Sequence, residues 1–394
     1  MKSRRIKILL VQSRICVGGP AVHTEMIARY LPKERYQVTL VGGGLKKGEM
    51  SKFDDIREKG VDIRIIGDMK RNISVFGDLV SVYKTWQLIK QIKPDIVDTH
   101  TAKAGAVGRI AARLAGVPIV IHTFHGHVFE EFFSNLKSWL FVYIEKMFAL
   151  LANRIIAISP MQFYDLAKKY KIAPVKKFVI VKLGLELDRF LNIEKNNRLK
   201  ETLGIPAQDI LIGVIGRMVP TKNHLMVIRV LKNLHDAGFK AHLYIAGDGE
   251  ERYKLEKLRD ELNLQPWIHF PGWVVDIEHI YAGIDLLAQT STTEGTPFTV
   301  IEAMAAGVPV AATNVGGVAD MLLDDENGLL CRSRDDREMA EKIKSLFKQP
   351  EQINKMTQRA RKFVIDNYSY KRLISDLDQL YTRLFSQYYQ QERC

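Results

Sequence analysis

Twelve short apolar runs, separated by stretches of helical period, constrain this chain more than any other feature. In the first half they fall at 6–11, 36–43, 62–67, 95–100, 119–124, 154–159 and 177–184. In the second half they fall at 211–216, 241–247, 267–272, 285–290 and 308–313. Segments 22–31, 75–92 and 103–115 carry the helical spacing between them. Strand–helix alternation of this kind builds parallel, doubly wound sheets. The pattern restarts after LNIEKNNRLKETLGIPAQD, a polar stretch read as linker and entry helix. At 394 residues the chain is also too long for one ordinary core. Two Rossmann-like α/β domains facing a cleft are therefore expected, 1–185 and 186–369, with ligand at strand C-terminal ends.

The composition, 46% hydrophobic and 26% charged, is that of a globular protein. Cys16, Cys331 and Cys394 have no paired or metal-ligand spacing, which suits a reduced, cytoplasmic setting. The opening MKSRRIKILLVQS reads as a first strand rather than an export signal, and no segment reaches the length of a membrane span. The net charge of +13 is uneven. Residues 1–185 hold 31 Lys/Arg against 15 Asp/Glu, a net +16, and the remainder holds 27 against 30, a net −3. Such polarity points to an anionic partner of the first half, a phosphorylated substrate or an acidic membrane face; nucleic acid is not expected.

The stretch STTEGTPFTVIEAMAAGVPV, 291–310, carries the most chemistry. Thr296 suits an N-cap and Pro297 a first helical position, while Val300, Ile301, Met304 and Ala305 recur with helical period. Glu294 then lies just before a helix N-terminus, and Glu302 about two turns further on. A pair of glutamates is ordinarily solvated surface. Beside a helix N-terminus, however, carboxylates can take sugar hydroxyls while the free N–H groups and positive dipole end seat phosphate. That combination suggests a nucleotide-sugar.

The segment, with AATNVGGVADML and NGLL after it, resembles the signature of the retaining glycosyltransferases of family 4, which have the GT-B fold. The resemblance extends through IGVIGRMVPTKN, YIAGDGE, FPGWV, VGGPAVHTEMIA and IHTFHGH, essentially the whole chain. It implies that a last helix, about 370–390, crosses back onto the first domain. It also implies that Arg217 and Lys222 bind the donor diphosphate and stabilise it as it leaves. Where the family commonly has Gly after that lysine, this chain has Asn223. By the same resemblance Glu302 takes the ribose hydroxyls. Glu294, with the backbone of Gly295, Thr296, Pro297 and Phe298, holds the transferred sugar and distal phosphate. Gly18 and Gly19 approach the phosphates, and the base meets backbone near Gly272 to Val274. GGPAVH is not GxGxxG, so a dinucleotide-dependent oxidoreductase loses its main support. Gly247 and Gly249 fit a structural turn.

His125 aligns with the family's cleft histidine. His122 reads as packed within its strand, and His127 is left open. His100 and Lys103, just past a strand end, are placed on the acceptor side, Lys103 through a phosphate. No HxxxH pair or cysteine partner supports a metal site, and the one DxD, Asp376–Asp378, falls in a helix where i and i+2 diverge. Neither a metal nor another cofactor is expected.

The most apolar helix, 132–153, is crowded with Phe132, Phe133, Trp139, Phe141 and Tyr143. It fits either a core helix or one lying in a membrane interface beside Lys168, Lys169, Lys171, Lys176 and Lys177. The resulting expectation is a sugar transfer from a UDP-type donor to a lipid-linked or saccharide acceptor in bacterial surface polysaccharide synthesis, peripheral on the inner face of the plasma membrane. The alternatives are a soluble small acceptor, a nucleotide-sugar epimerase, or a non-catalytic nucleotide-sugar binder.

Overall fold

The computed structural model describes residues 4–15, 19–45, 51–69, 74–126 and 135–391. It forms two compact units, Met1–Leu185 with Tyr370–Cys394, and Glu186–Ser369. The first unit is built on seven parallel strands: β1 Ile6–Gln12, β2 Tyr36–Gly43, β3 Asp62–Ile66, β4 Ile96–His100, β5 Ile119–Thr123, β6 Arg154–Ala157 and β7 Phe178–Ile180. Their order is β3-β2-β1-β4-β5-β6-β7. The two-residue period of β1 divides its side chains between two cores. Ile8 and Leu10 pack with Leu40, Ile96 and Ile121 on one face, and Leu9 and Val11 pack with Val97, Ala104 and Val120 on the other.

The helix Tyr370–Gln391 closes the first of these cores, laying down Leu373, Leu377, Leu380, Tyr381 and Leu384 at helical spacing. Polar ties hold it in place. Tyr381 donates to the buried Asp98 carboxylate at 2.8 Å, and Arg372 donates to the carbonyl of Lys182 at 2.8 Å. Asp376 and Asp378 do point different ways, but Asp378 is more than surface charge. It accepts from Arg35 at 2.6 Å and from the Tyr36 hydroxyl at 2.6 Å, while Asp376 pairs with Arg372 within the helix.

The helix Asn135–Leu150 is apolar on both sides. Val142, Glu145 and Ala149 face inward, where Glu145 forms a 2.9 Å ion pair with the fully buried Arg109. Trp139, Tyr143, Met147 and Leu150 form one exposed stripe, Trp139 at 72% exposure. The earlier part of 132–153, with Phe132 and Phe133, lies outside the described residues. Lys177 is removed from the expected basic surface. Its ammonium donates to the carbonyls of Ala149 at 2.9 Å and Ala152 at 2.8 Å, capping that helix. Among the described residues, no helix is long and apolar enough to cross a membrane.

The second unit has six parallel strands: β8 Ile210–Ile215, β9 Ala241–Ala246, β10 Ile268–Gly272, β11 Leu286–Gln289, β12 Val310–Thr313 and β13 Leu329–Cys331. Their order is β10-β9-β8-β11-β12-β13. All twelve expected strands form. The thirteenth, β13, is a three-residue edge strand too short to leave a periodic signal.

Candidate functional site

In each sheet the strand order reverses direction beside its first strand, between β1 and β4 and again between β8 and β11. Loops leaving the C-terminal ends of such a pair diverge and open a crevice where ligands bind. Both sets of candidate residues sit on these loops.

In the second unit, β8 leads through Gly216 to Arg217 and then to a short 3-10 turn, Pro220–Lys222. Asn223 follows at φ 48° and opens the helix His224–Asp236. That positive φ explains the departure from glycine, because asparagine is among the few other residues that tolerate it. The loop after β11 is tied to this one. The Thr292 N–H donates to Thr221 at 2.9 Å and the Thr290 hydroxyl to Asn223 at 3.1 Å. Glu294 is thereby held where its Oε1 accepts from Lys222 Nζ at 2.6 Å, Ser291 Oγ at 2.6 Å and Gln289 Nε2 at 2.5 Å. Among the described residues none bonds Oε2. Two glycines support this loop from below. A Cβ on Gly316, at φ 48°, would stand 2.0 Å from the Glu294 carbonyl, and one on Gly317 would stand 1.7 Å from that of Gly295.

The helix begins at Phe298, one residue later than expected, so Pro297 takes the cap position and Thr296 lies before it. A proline cannot cap with its side chain, and the helix has no side-chain cap. Its first N–H groups therefore remain available to an anion. Gly295, Thr296 and Phe298 line the approach, half-buried. On the same helix Glu302 is buried and accepts from the Tyr281 hydroxyl at 2.8 Å, with its pKa raised above the usual carboxylate value by burial. Arg217 is exposed and has no hydrogen bond or ion pair among the described side chains. Val274 lies half-buried in the loop after β10. A Cβ on Gly247, at φ 137°, would stand 2.0 Å from the Gly216 carbonyl, so that glycine serves the close approach of two loops, a structural duty.

In the first unit the corresponding loops carry histidines. His100 ends β4, His125 lies two residues beyond β5, and His23 comes from the helix Gly19–Tyr30. His100 Nδ1 and His125 Nε2 are 2.9 Å apart, and His23 meets both rings edge-on with centroids 5.7 and 5.1 Å away. Burial drives all three below the usual imidazole range, His100 to about 3, so they are neutral. His23 Nδ1 and His100 Nε2 are buried without hydrogen-bond partners. Each such atom costs about 1–3 kcal/mol. His100 Nε2 faces Asp98 Oδ1 at 3.6 Å, beyond hydrogen-bond reach. Lys103 is not a free cation for a phosphate, since its ammonium sits 2.5 Å from Asp78. His122 packs inside β5, 2.9 Å from the Thr99 hydroxyl. Gly19 is the first residue of its helix; Gly18 and His127 lie outside the described residues.

Residues 195–363 match the model for glycosyl transferases group 1, and residues 17–189 match the model for Glycosyltransferase Family 4. The chain belongs to the family 4 glycosyltransferases. It is 27% identical over 96% of its length to an Escherichia coli UDP-Gal:alpha-D-GlcNAc-diphosphoundecaprenol alpha-1,3-galactosyltransferase, covering 97% of that protein. It is 29% identical over 89% of its length to the Staphylococcus aureus capsular polysaccharide biosynthesis glycosyltransferase CapM, covering 91%. The crystal structure of Anabaena HepE in complex with UDP superposes with a TM-score of 0.78 over 96% of this chain and all of that one, at 22% identity. That likeness places the glycosyltransferase in the GT-B fold. Its sequence had pointed to Lys222, Glu294 and Glu302 but not to their partners Gln289, Ser291 and Tyr281, nor to His23. Gln289 and Ser291 were within reach of a reading, because they stand only five and three residues before Glu294.

Proposed function

We propose that this glycosyltransferase moves a sugar, with retention of anomeric configuration, from a nucleoside diphosphate sugar to a lipid-linked or saccharide acceptor in bacterial cell-surface polysaccharide synthesis. The observation that carries the reading is the Lys222–Glu294 pair beside an uncapped helix N-terminus at a sheet switch point. A diphosphate there gains Lys222 and Arg217 on one side and helix N–H groups on the other. As the bond between the anomeric carbon and the diphosphate oxygen breaks, charge accumulates on that oxygen, and these cations stabilise it. Glu294 keeps Oε2 for sugar hydroxyls, Glu302 keeps its second oxygen for the ribose, and the backbone near Val274 meets the base. The UDP in the HepE structure and the UDP-galactose donor in the E. coli relative's name favour uracil.

The diphosphoundecaprenol in that relative's name favours a lipid-linked acceptor. So does the exposed Trp139–Tyr143–Met147–Leu150 stripe, which the fold itself does not need and which lies in the basic half of the chain. Charge and apolar insertion together are what peripheral attachment to an acidic inner leaflet requires. The test is a panel of nucleotide-sugars assayed for nucleotide release with and without a polyprenyl-diphosphate sugar, and the product's anomeric configuration read by NMR. Acceptor-dependent release with a retained anomer supports the proposal. Release without transfer, an inverted product, or transfer to soluble acceptors alone sinks it.

A further inference from the structure

A chain of polar contacts runs through the first unit, from its last helix to the loop after β5. The Tyr381 hydroxyl donates to Asp98 Oδ2 at 2.8 Å, and the Thr123 hydroxyl donates to Asp98 Oδ1 at 3.1 Å. His100 Nε2 faces that same Oδ1 at 3.6 Å, sealed from solvent and without a hydrogen bond. On the other edge of the ring, His100 Nδ1 stands 2.9 Å from His125 Nε2. Asp98, His100 and Tyr381 are fully buried, whereas His125 is only half-buried and reaches the surface of its loop. We propose that Asp98 and His100 are positioning residues that fix the tautomer of His125, so that its Nδ1 accepts from a saccharide hydroxyl, an assignment that takes the hydroxyl from the sugar-transfer reading.

A neutral imidazole carries one proton, so one ring nitrogen donates and the other accepts. Which one holds the proton is set by the hydrogen bond the other makes. Burial holds His100 and His125 well below the usual imidazole range, so each ring has a single proton to place. A lone pair on His100 Nε2 would be repelled by the Asp98 carboxylate, and an N–H there is attracted to it. Both hydroxyls on Asp98 already spend their protons on it, so the ionised group has no donor to offer His100 in return. With its proton on Nε2, His100 has only a lone pair at Nδ1. The 2.9 Å contact is then His125 Nε2–H donating to His100, and the lone pair of His125 is left on Nδ1. His23 meets both rings edge-on and holds their planes. An accepting nitrogen selects a group that has a proton to give. It welcomes a hydroxyl and turns away an ionised carboxylate or phosphate oxygen, which can only accept.

Full-length protein carrying 15N-labelled histidine is read by long-range proton–nitrogen NMR with no ligand present. Burial raises the Asp98 carboxyl to about 7, so the spectra are taken at about pH 8.5, where it is ionised. Signals lost in His100→Leu and His125→Leu assign the two rings. The expected result is a protonated Nε2 and a bare Nδ1 on both. Asp98→Asn, which removes the charge that selects this tautomer, should lower the Nε2–H fraction of both rings. In sugar transfer, His100→Leu should lose about 10-fold in kcat/KM, the scale of one hydrogen bond, and His100→Asn should recover most of it by placing an amide oxygen where Nδ1 stands. Unfolding midpoints and affinity for free nucleoside diphosphate report whether each variant is folded. A proton on His125 Nδ1 in the unaltered protein overturns the proposal, whatever the transfer assay gives. So do unchanged tautomers in Asp98→Asn, or a folded His100→Leu with normal transfer. The expected tautomers in a protein that transfers no sugar would strike the sugar-transfer reading alone.

Discussion

The two sheets place their candidate residues at the same topological point and furnish it with opposite chemistry. At the β8–β11 point a charged set meets in a partly open loop, and each described carboxylate already has a partner: Lys222, Ser291 and Gln289 for Glu294, Tyr281 for Glu302. At the β1–β4 point the set is neutral and largely buried, and two nitrogens, His23 Nδ1 and His100 Nε2, have none. The lesson is that a doubly wound sheet supplies a position and not a chemistry. Satisfied charges with spare lone pairs suit a polyanionic, hydroxyl-rich ligand that comes and goes, whereas buried neutral imidazoles bring no charge and can only donate or accept a hydrogen bond.

The largest effect that could break this contrast is on the charged side. Arg217→Ala and Lys222→Ala should each raise the barrier to sugar transfer by about 3 kcal/mol while the fold survives, measured as kcat/KM for nucleotide release. A double variant with near-normal rate would remove the donor site from the second unit. Next come the glutamates. Glu302→Ala should weaken binding of free nucleoside diphosphate by about 2 kcal/mol in calorimetry, the scale of a hydrogen bond to a charged group. Glu294→Ala should spare that affinity and impair transfer. Equal losses of free-nucleotide affinity would mean that their roles are wrongly divided.

The first unit gives a third test. Trp139→Ser should reduce co-sedimentation with anionic liposomes by about 1.5–3 kcal/mol, the value of burying one large apolar side chain. Binding should also fall steeply with salt, since each basic residue near an acidic surface contributes about 1 kcal/mol. Protein left in the supernatant at low salt would reduce the stripe to incidental surface. A smaller change is expected at Asn223. Alanine there should cost about 1–2 kcal/mol of second-unit stability, because it must adopt a positive φ, and glycine should be neutral or better. Thermal unfolding of both variants distinguishes that backbone demand from a side-chain role. The smallest effect is none at all: chelators should leave nucleoside diphosphate affinity unchanged, because Arg217 and Lys222 supply the charge a metal would bring. Affinity lost with chelator and restored by magnesium would overturn a metal-free donor site.

Most of the fold was legible because parallel strands are buried on both sides and so write themselves as apolar runs. Ile8, Leu9, Leu10 and Val11 in β1 are all fully buried. What escaped was β13, too short to show a period. The charged site was legible for a related reason. Glu294, Glu302 and the helix between them lie in one contiguous segment whose spacing implies its geometry, and the lysine shares the loop of a recognisable motif. Tyr281 was not, since a tyrosine upstream of a strand looks like any packed aromatic until its hydroxyl is seen on Glu302.

By itself, then, the sequence determined the alternation of strands and helices, the two sheets, and the local frame around Glu294, because each depends on neighbours a few positions apart. The tertiary structure alone decided what meets across long separations. His23 stands 77 and 102 positions before His100 and His125, and Tyr381 lies 283 residues beyond Asp98. No periodicity links such residues. They become neighbours only because β1, β4 and β5 lie side by side and the last helix packs back against the sheet they form.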